Sequence, residues 1–284
     1  MNGLLRSTAA LVVTGAALGA AASQPPQSAG TADVNQRSTP LTIGETFAIA
    51  SKVLNETRRI NIYLPAAYSE PAPVSLPVLY MPDGGVAEDF LHIAGLVQVS
   101  VGNGTMRPFI LAGIENTERR RDMTGPTENP EDRKIAPRVG GSAAFRRFIK
   151  DELKPAIQGR YRTTVESAIV GESLAGLFVM ETFFLDPEVF DTYIAFDPSL
   201  WWNNHELVDS ASQRLSARTS PDKTLYVAFG SDSGLDTLTA QLAGVLRSHP
   251  SSTLRWHIVP MPEEKHATIY HPAALRAFRT LFKP

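Results

Sequence analysis

With 284 residues and a net charge of −2, the chain is long enough for one large α/β domain and offers no electrostatic case for nucleic acid or an anionic membrane as partner. It has no cysteine, which excludes disulfides, thiolate metal sites and a cysteine nucleophile. Hydrophobic residues make up 43% of it, enough for a sizeable core.

The first 22 residues read as an export signal. Arg6 supplies the positive charge, residues 8–22 are apolar and rich in Ala, Leu and Val, and Ala20-Ala21-Ala22 offers an A-x-A cleavage site. The apolar stretch falls short of the roughly 20 residues a membrane span needs. A periplasmic or secreted protein with no stable membrane insertion after signal removal is therefore expected. Residues 23–40, rich in Ser, Pro, Gln and Thr, read as a solvated linker. One domain is expected over residues 41–284.

Thr46 to Val53 and Thr57 to Leu64 are β-rich runs flanking Leu54-Asn55-Glu56, which predicts an antiparallel hairpin. Val78-Leu79-Tyr80-Met81 has the composition of a central strand buried on both faces, and it ends in Pro82-Asp83-Gly84-Gly85. A helix over residues 86–101 and a strand from Phe109 to Ile114 follow. The polar, Gly- and Pro-punctuated stretch from Glu115 to Gly141 is a loop long enough to expect function of it. Ser142 reads as an N-cap, before a helix with Phe145, Phe148, Ile149 and Leu153 along one face.

Ala168-Ile169-Val170 is the right length for a buried strand, and Gly171-Glu172-Ser173-Leu174-Ala175-Gly176 follows it. Leu177, Phe178, Met180, Phe183 and Phe184 then recur at helical spacing. Strand, tight turn with a serine at its apex, then helix is the nucleophile elbow. By itself it is also compatible with a glycine-ended strand whose serine caps a helix. Beyond it, strands are read at Tyr193 to Phe196, Leu225 to Phe229 and Thr253 to Val259. Helices are read around Leu238 to Leu246 and Leu275 to Phe282. Strands alternating with helices after an opening hairpin predict a mostly parallel sheet with helices on both faces.

Catalytic groups on such sheets gather at the carboxyl ends of the strands. Ser173, the Asp83-Gly84-Gly85 loop, Asp232 and Asp236 after Phe229, and His266 after the last strand all fall there. The resulting order, Ser then Asp then His, is that of the α/β-hydrolase elbow class. A serine hydroxyl needs a base to remove its proton during attack, and His266 can serve and later protonate the leaving alcohol. The oxyanion needs two N–H donors, read as the amides of Leu174 and Gly85. His92, His205, His249, His257 and His271 are read as packed or surface residues, and no metal-ligand spacing is present. Neither a metal nor a cofactor is expected.

Several segments together resemble one family: the elbow V-G-E-S-L-A-G-L-F, V-L-Y-M-P-D-G-G, R-R-R-D-M-T-G-P-T, G-G-S-A-A-F-R-R-F-I-K-D-E-L-K-P, D-P-S-L-W-W-N-N and K-H-A-T. They are similar to the esterase group of α/β-hydrolases that takes in enterochelin-type siderophore esterases, feruloyl esterases, S-formylglutathione hydrolases and mycolyl transferases. The resemblance runs from Leu41 to the end. It implies the α/β-hydrolase fold, with Ser173 as nucleophile, His266 as base and Gly85 as second oxyanion donor. Likeness to the S-formylglutathione hydrolase segment favours Asp236 as the triad acid, with Asp232 next and a Ser-His dyad third.

Three positions depart from the family pattern: Ala175 for the usual elbow glycine, Glu172 where histidine is common, and Asp197 where many relatives have serine. Glu172 is read as tuning charge or binding substrate; Asp197 either faces the site or caps the turn at Pro198, with capping the preferred reading. Arg121 is read as a forked donor lining the pocket. Of Trp201 and Trp202, one is expected in the core and the other in the pocket wall. The whole predicts a serine esterase for a small-molecule ester, aromatic, catecholate or lactone, with a siderophore ester the leading case. The alternatives are an acyltransferase using the same acyl-enzyme and a ligand-binding protein that has lost catalysis.

Overall fold

Strands β1 (Glu45–Ser51) and β2 (Glu56–Tyr63) form the predicted antiparallel hairpin, turned by Asn55 at φ 54, a left-handed conformation that asparagine tolerates. The computed structural model describes residues 39–216, 222–231, 236–249 and 253–284. The predicted signal segment and nearly all of the linker lie outside the described residues. No helix among the described residues is long and apolar enough to cross a membrane.

After the hairpin come β3 (Leu76–Met81), α1 (Phe90–Gly102) and β4 (Ile110–Ile114). The long polar stretch holds α2 (Arg119–Asp122). Next, α3 (Ser142–Phe148) runs through a π-helical turn (Ile149–Leu153) into α4 (Lys154–Arg160). Then follow β5 (Thr163–Glu172), α5 (Ser173–Leu185), β6 (Thr192–Phe196), α6 (Glu206–Asp209) and α7 (Ala211–Ser216). The chain closes with β7 (Lys223–Phe229), α8 (Asp236–Ser248), β8 (Leu254–Pro260) and α9 (Tyr270–Leu281).

The strands form one sheet in the order β1-β2-β4-β3-β5-β6-β7-β8, parallel from β4 through β8. Side-chain alternation along each central strand feeds two cores. Val78, Tyr80, Ile169, Tyr193, Ala195, Leu225 and Val227 face α3, α5 and α8. Leu79, Met81, Ala168, Val170, Ile194, Phe196, Tyr226 and Ala228 face α1 and α9. Both faces are covered, which is why these strands read as continuous apolar runs. The fold is that of an α/β-hydrolase.

Two local expectations change. Helix α1 starts at Phe90, because residues 85–88 close a turn in which the Glu88 amide donates to the Gly85 carbonyl at 3.0 Å. Ser142 is the first residue of α3, not its cap. Its hydroxyl donates to Glu181 Oε1 at 2.6 Å, drawn away by a buried carboxylate on α5.

Candidate active site

Strand β5 and helix α5 approach so closely that a Cβ built on Gly171 would lie 2.7 Å from the Ala175 carbonyl carbon and 2.8 Å from the Ala175 Cβ. The Ala175 methyl therefore occupies the space that a bare Gly171 leaves open. Gly176 faces the end of β6 instead, where a Cβ would stand 3.0 Å from the Phe196 carbonyl oxygen. Between them Ser173 sits at φ 60, a strained conformation for a residue with a side chain. That kink puts its hydroxyl at the carboxyl end of the sheet, on the first residue of α5.

The Ser173 Oγ lies 3.1 Å from Nε2 of His266. The other ring nitrogen, Nδ1, lies 3.2 Å from Oδ2 of Asp197. The Asp197 carboxylate is fully buried, and its Oδ1 accepts the Gly230 amide at 2.8 Å. Asp197 is held at φ 39 just past β6, with its own amide donating to the Ala228 carbonyl at 2.9 Å. A buried carboxylate on Nδ1 selects the tautomer in which Nε2 presents its lone pair to the serine.

Glu172, the last residue of β5, brings a second carboxyl group into the site. Its Oε1 is 3.3 Å from His266 Nε2. Burial pushes this carboxyl up to about 7, against the pull of His266 and Arg119. Arg119 forks onto Asp83, with Nε at 2.7 Å from Oδ1 and Nη2 at 2.8 Å from Oδ2. Asn116 adds a third bond to Asp83 at 2.5 Å. Asp83 is thus locked at φ 55 immediately beyond β3.

The amides near the serine divide simply. Leu174 is the second residue of α5, where an amide has no intrahelical acceptor. In the loop after β3, Pro82 has no N–H, Gly84 donates to the Ile114 carbonyl at 2.9 Å, and Gly85 donates to Glu88 Oε2 at 2.6 Å. The Asp83 amide has no acceptor among the described residues. No group of three or more His, Asp or Glu that could hold a metal is found among the described residues.

Residues 51–266, most of the chain, match the family described as "Putative esterase". The chain belongs to this esterase family. The ferri-bacillibactin esterase BesA of Bacillus subtilis is 34% identical over 170 residues, 52% of this chain and 56% of that one. The chain thus aligns with little more than half the length of that curated relative. The crystal structure of an IroE-like serine hydrolase from Shewanella oneidensis superposes with a TM-score of 0.75 at 30% identity, over 84% of this chain and 80% of that one. The siderophore hydrolase EstB of Aspergillus nidulans shares the fold, with a TM-score of 0.75 at 20% identity, over 87% of this chain and 97% of that one.

Within this esterase frame several sequence-based readings change. Asp197 does not cap the turn at Pro198; its two oxygens go to His266 and Gly230. Asp232 lies outside the described residues, as does the side chain of Asp236, which opens α8. Gly85 does not offer its amide to the serine side, because Glu88 three residues on takes it. Arg121 is not a pocket donor. Its guanidinium is spent on Glu56 at 2.8 Å, Glu118 at 3.2 Å and Asp122 at 2.6 Å, bracing the long loop. One step along the helix turns a side chain by about 100°, so of the three consecutive arginines it is Arg119 that reaches the site. Trp202 is buried, with Nε1 donating to the Gly125 carbonyl at 3.0 Å, while Trp201 remains 41% exposed.

Proposed function

We propose that the protein is a serine carboxylic-ester hydrolase that works through an acyl-serine intermediate. The observation that carries this reading is the continuous line from the buried Asp197 carboxylate through both nitrogens of His266 to the Ser173 hydroxyl. As Ser173 Oγ bonds to the ester carbonyl carbon, His266 Nε2 takes the hydroxyl proton and Asp197 holds the resulting imidazolium. The oxyanion is received by the Leu174 amide, with the Asp83 amide as the second donor. Collapse releases the alcohol, which takes its proton from Nε2. Water, deprotonated by the same nitrogen, then cleaves the acyl-serine and restores the enzyme.

The substrate class we assign is a siderophore-type ester or lactone. The likeness to BesA, a ferri-bacillibactin esterase, supports it, as does the exposed Trp201 as an apolar contact for an aromatic acyl group. The signal pattern at residues 1–22, a positive charge followed by an apolar run, supports export ahead of this activity.

The test is a panel of catechol trilactones, hydroxamate esters and aryl esters incubated with the purified protein and read by mass spectrometry, with and without an acceptor alcohol. Free acid from a trilactone, absent with Ser173→Ala, is the expected result. An acyl-alcohol product formed in preference to acid would make the protein a transferase. No turnover of any ester would favour a binding role.

A further inference from the structure

Among the described residues, Nε2 of His266 lies beside two oxygens: Ser173 Oγ at 3.1 Å and Glu172 Oε1 at 3.3 Å. An imidazole nitrogen has one in-plane direction for a proton or a lone pair, and Ser173 takes it. Glu172 Oε1 is enclosed and accepts no hydrogen bond among the described residues, so its contact with the ring is one of charge. When His266 is neutral, with its proton on Nδ1 toward Asp197, a carboxylate oxygen faces the Nε2 lone pair, which is repulsive. Once Nε2 has taken the serine proton, the same contact becomes an ion pair in a partly desolvated place. The contact therefore changes sign as the reaction proceeds.

We propose that Glu172 is a positioning residue that acts through His266, a second carboxylate on the Nε2 side that raises the basicity of the imidazole and stabilises the imidazolium formed when Ser173 attacks. This rests on the Ser173–His266 reading above. No proton moves to Glu172 in the step: the serine proton goes to Nε2 and from there to the leaving alcohol.

The surroundings fit. Among the described residues, the other charged or titratable groups facing Glu172 are Arg119 from α2, Asp83 beyond β3, Asp197 beyond β6 and Tyr270 from α9. Arg119 favours the ionised Glu172 from a distance, but its guanidinium is forked onto Asp83 and hydrogen-bonds there. Tyr270 is buried, and burial raises its hydroxyl, so it contributes no charge. His266 is the larger of the two opposing charges on Glu172 and the one in contact with it. Burial holds the Glu172 carboxyl near 7, the range in which an imidazole titrates, so near neutrality the two side chains compete for protons.

The test pairs a readout that needs no turnover with one that does. In an NMR titration of labelled protein, the His266 ring should titrate lower in Glu172→Gln than in the natural protein, by roughly one pH unit or more. Glu172→Asp, which keeps the charge at a shorter reach, should fall between them and guards against a fold defect in the glutamine variant. The acid limb of kcat/KM against pH for an aryl ester should move down by the same amount, with the plateau reduced several-fold. An unchanged or raised His266 titration in both variants overturns the role of Glu172. If the titration shifts but ester turnover is indifferent to Ser173→Ala, the hydrolase reading fails while the coupling of Glu172 to His266 stands.

Discussion

Asp197 and His266 meet at 3.2 Å although 69 residues separate them, because β6 lies two strands from β8 and both loops leave the carboxyl edge of the sheet. The carboxylate sits at 0% exposure and the imidazole at 47%, so the ring is anchored from below and open above.

Asp197→Asn should lower kcat by about 10³-fold or more, since an amide on Nδ1 favours the wrong tautomer. Asn also tolerates the left-handed backbone at φ 39, so the fold should survive. Asp236→Asn should change kcat only a few-fold. Steady-state rates on one aryl ester compare the two directly, and the opposite ranking would return the acid role to Asp236.

Glu172 makes stability depend on pH. Its folded-state carboxyl titrates near 7, against 4.5 in a solvated chain, so the folded state holds the proton longer than the unfolded state does. Stability from this group is therefore greatest below about pH 4.5 and falls as pH rises toward 7. Glu172→Gln should be more stable than the natural protein at pH 8, by about 2 kcal/mol, with no difference at pH 4. Urea denaturation at the two pH values measures it.

Asp122 and Arg58 form an ion pair with side-chain exposures of 1% and 0% under the long loop. Asp122→Ala would leave the guanidinium inside with the partly exposed Glu56 as its one counterion among the described residues. A loss of about 3–5 kcal/mol is expected, read from the denaturation midpoint.

The elbow has room for one methyl, not two. Gly171→Ala would force a Cβ to within 2.8 Å of the Ala175 Cβ, costing about 1–3 kcal/mol and most of the activity by displacing Ser173. In Gly171→Ala/Ala175→Gly the methyl moves across the contact, and part of the stability should return. Thermal denaturation and ester turnover of the two variants provide the check.

Much of this was legible in the sequence. The hairpin, the buried parallel strands and the elbow follow from periodicity and small residues, and Ser173 and His266 from their places after strands. Asp197 was not legible as a partner of histidine. Phe196-Asp197-Pro198 has the composition of a local turn, and only the lateral order of β5, β6, β7 and β8 brings it to the ring. The engagement of the Gly85 amide is not legible either, because Glu88 competes for it within a single turn. Among the arginines, composition cannot say which of three neighbours faces inward; the start of α2 decides it.

The most direct test of the central claim is the mass of the peptide carrying Ser173 after the native protein has reacted with a fluorophosphonate ester. One phosphonyl adduct on Ser173 is predicted, formed at least 100-fold more slowly in His266→Ala and absent in Ser173→Ala. Rapid ester hydrolysis by a protein whose Ser173 never carries the adduct would contradict it.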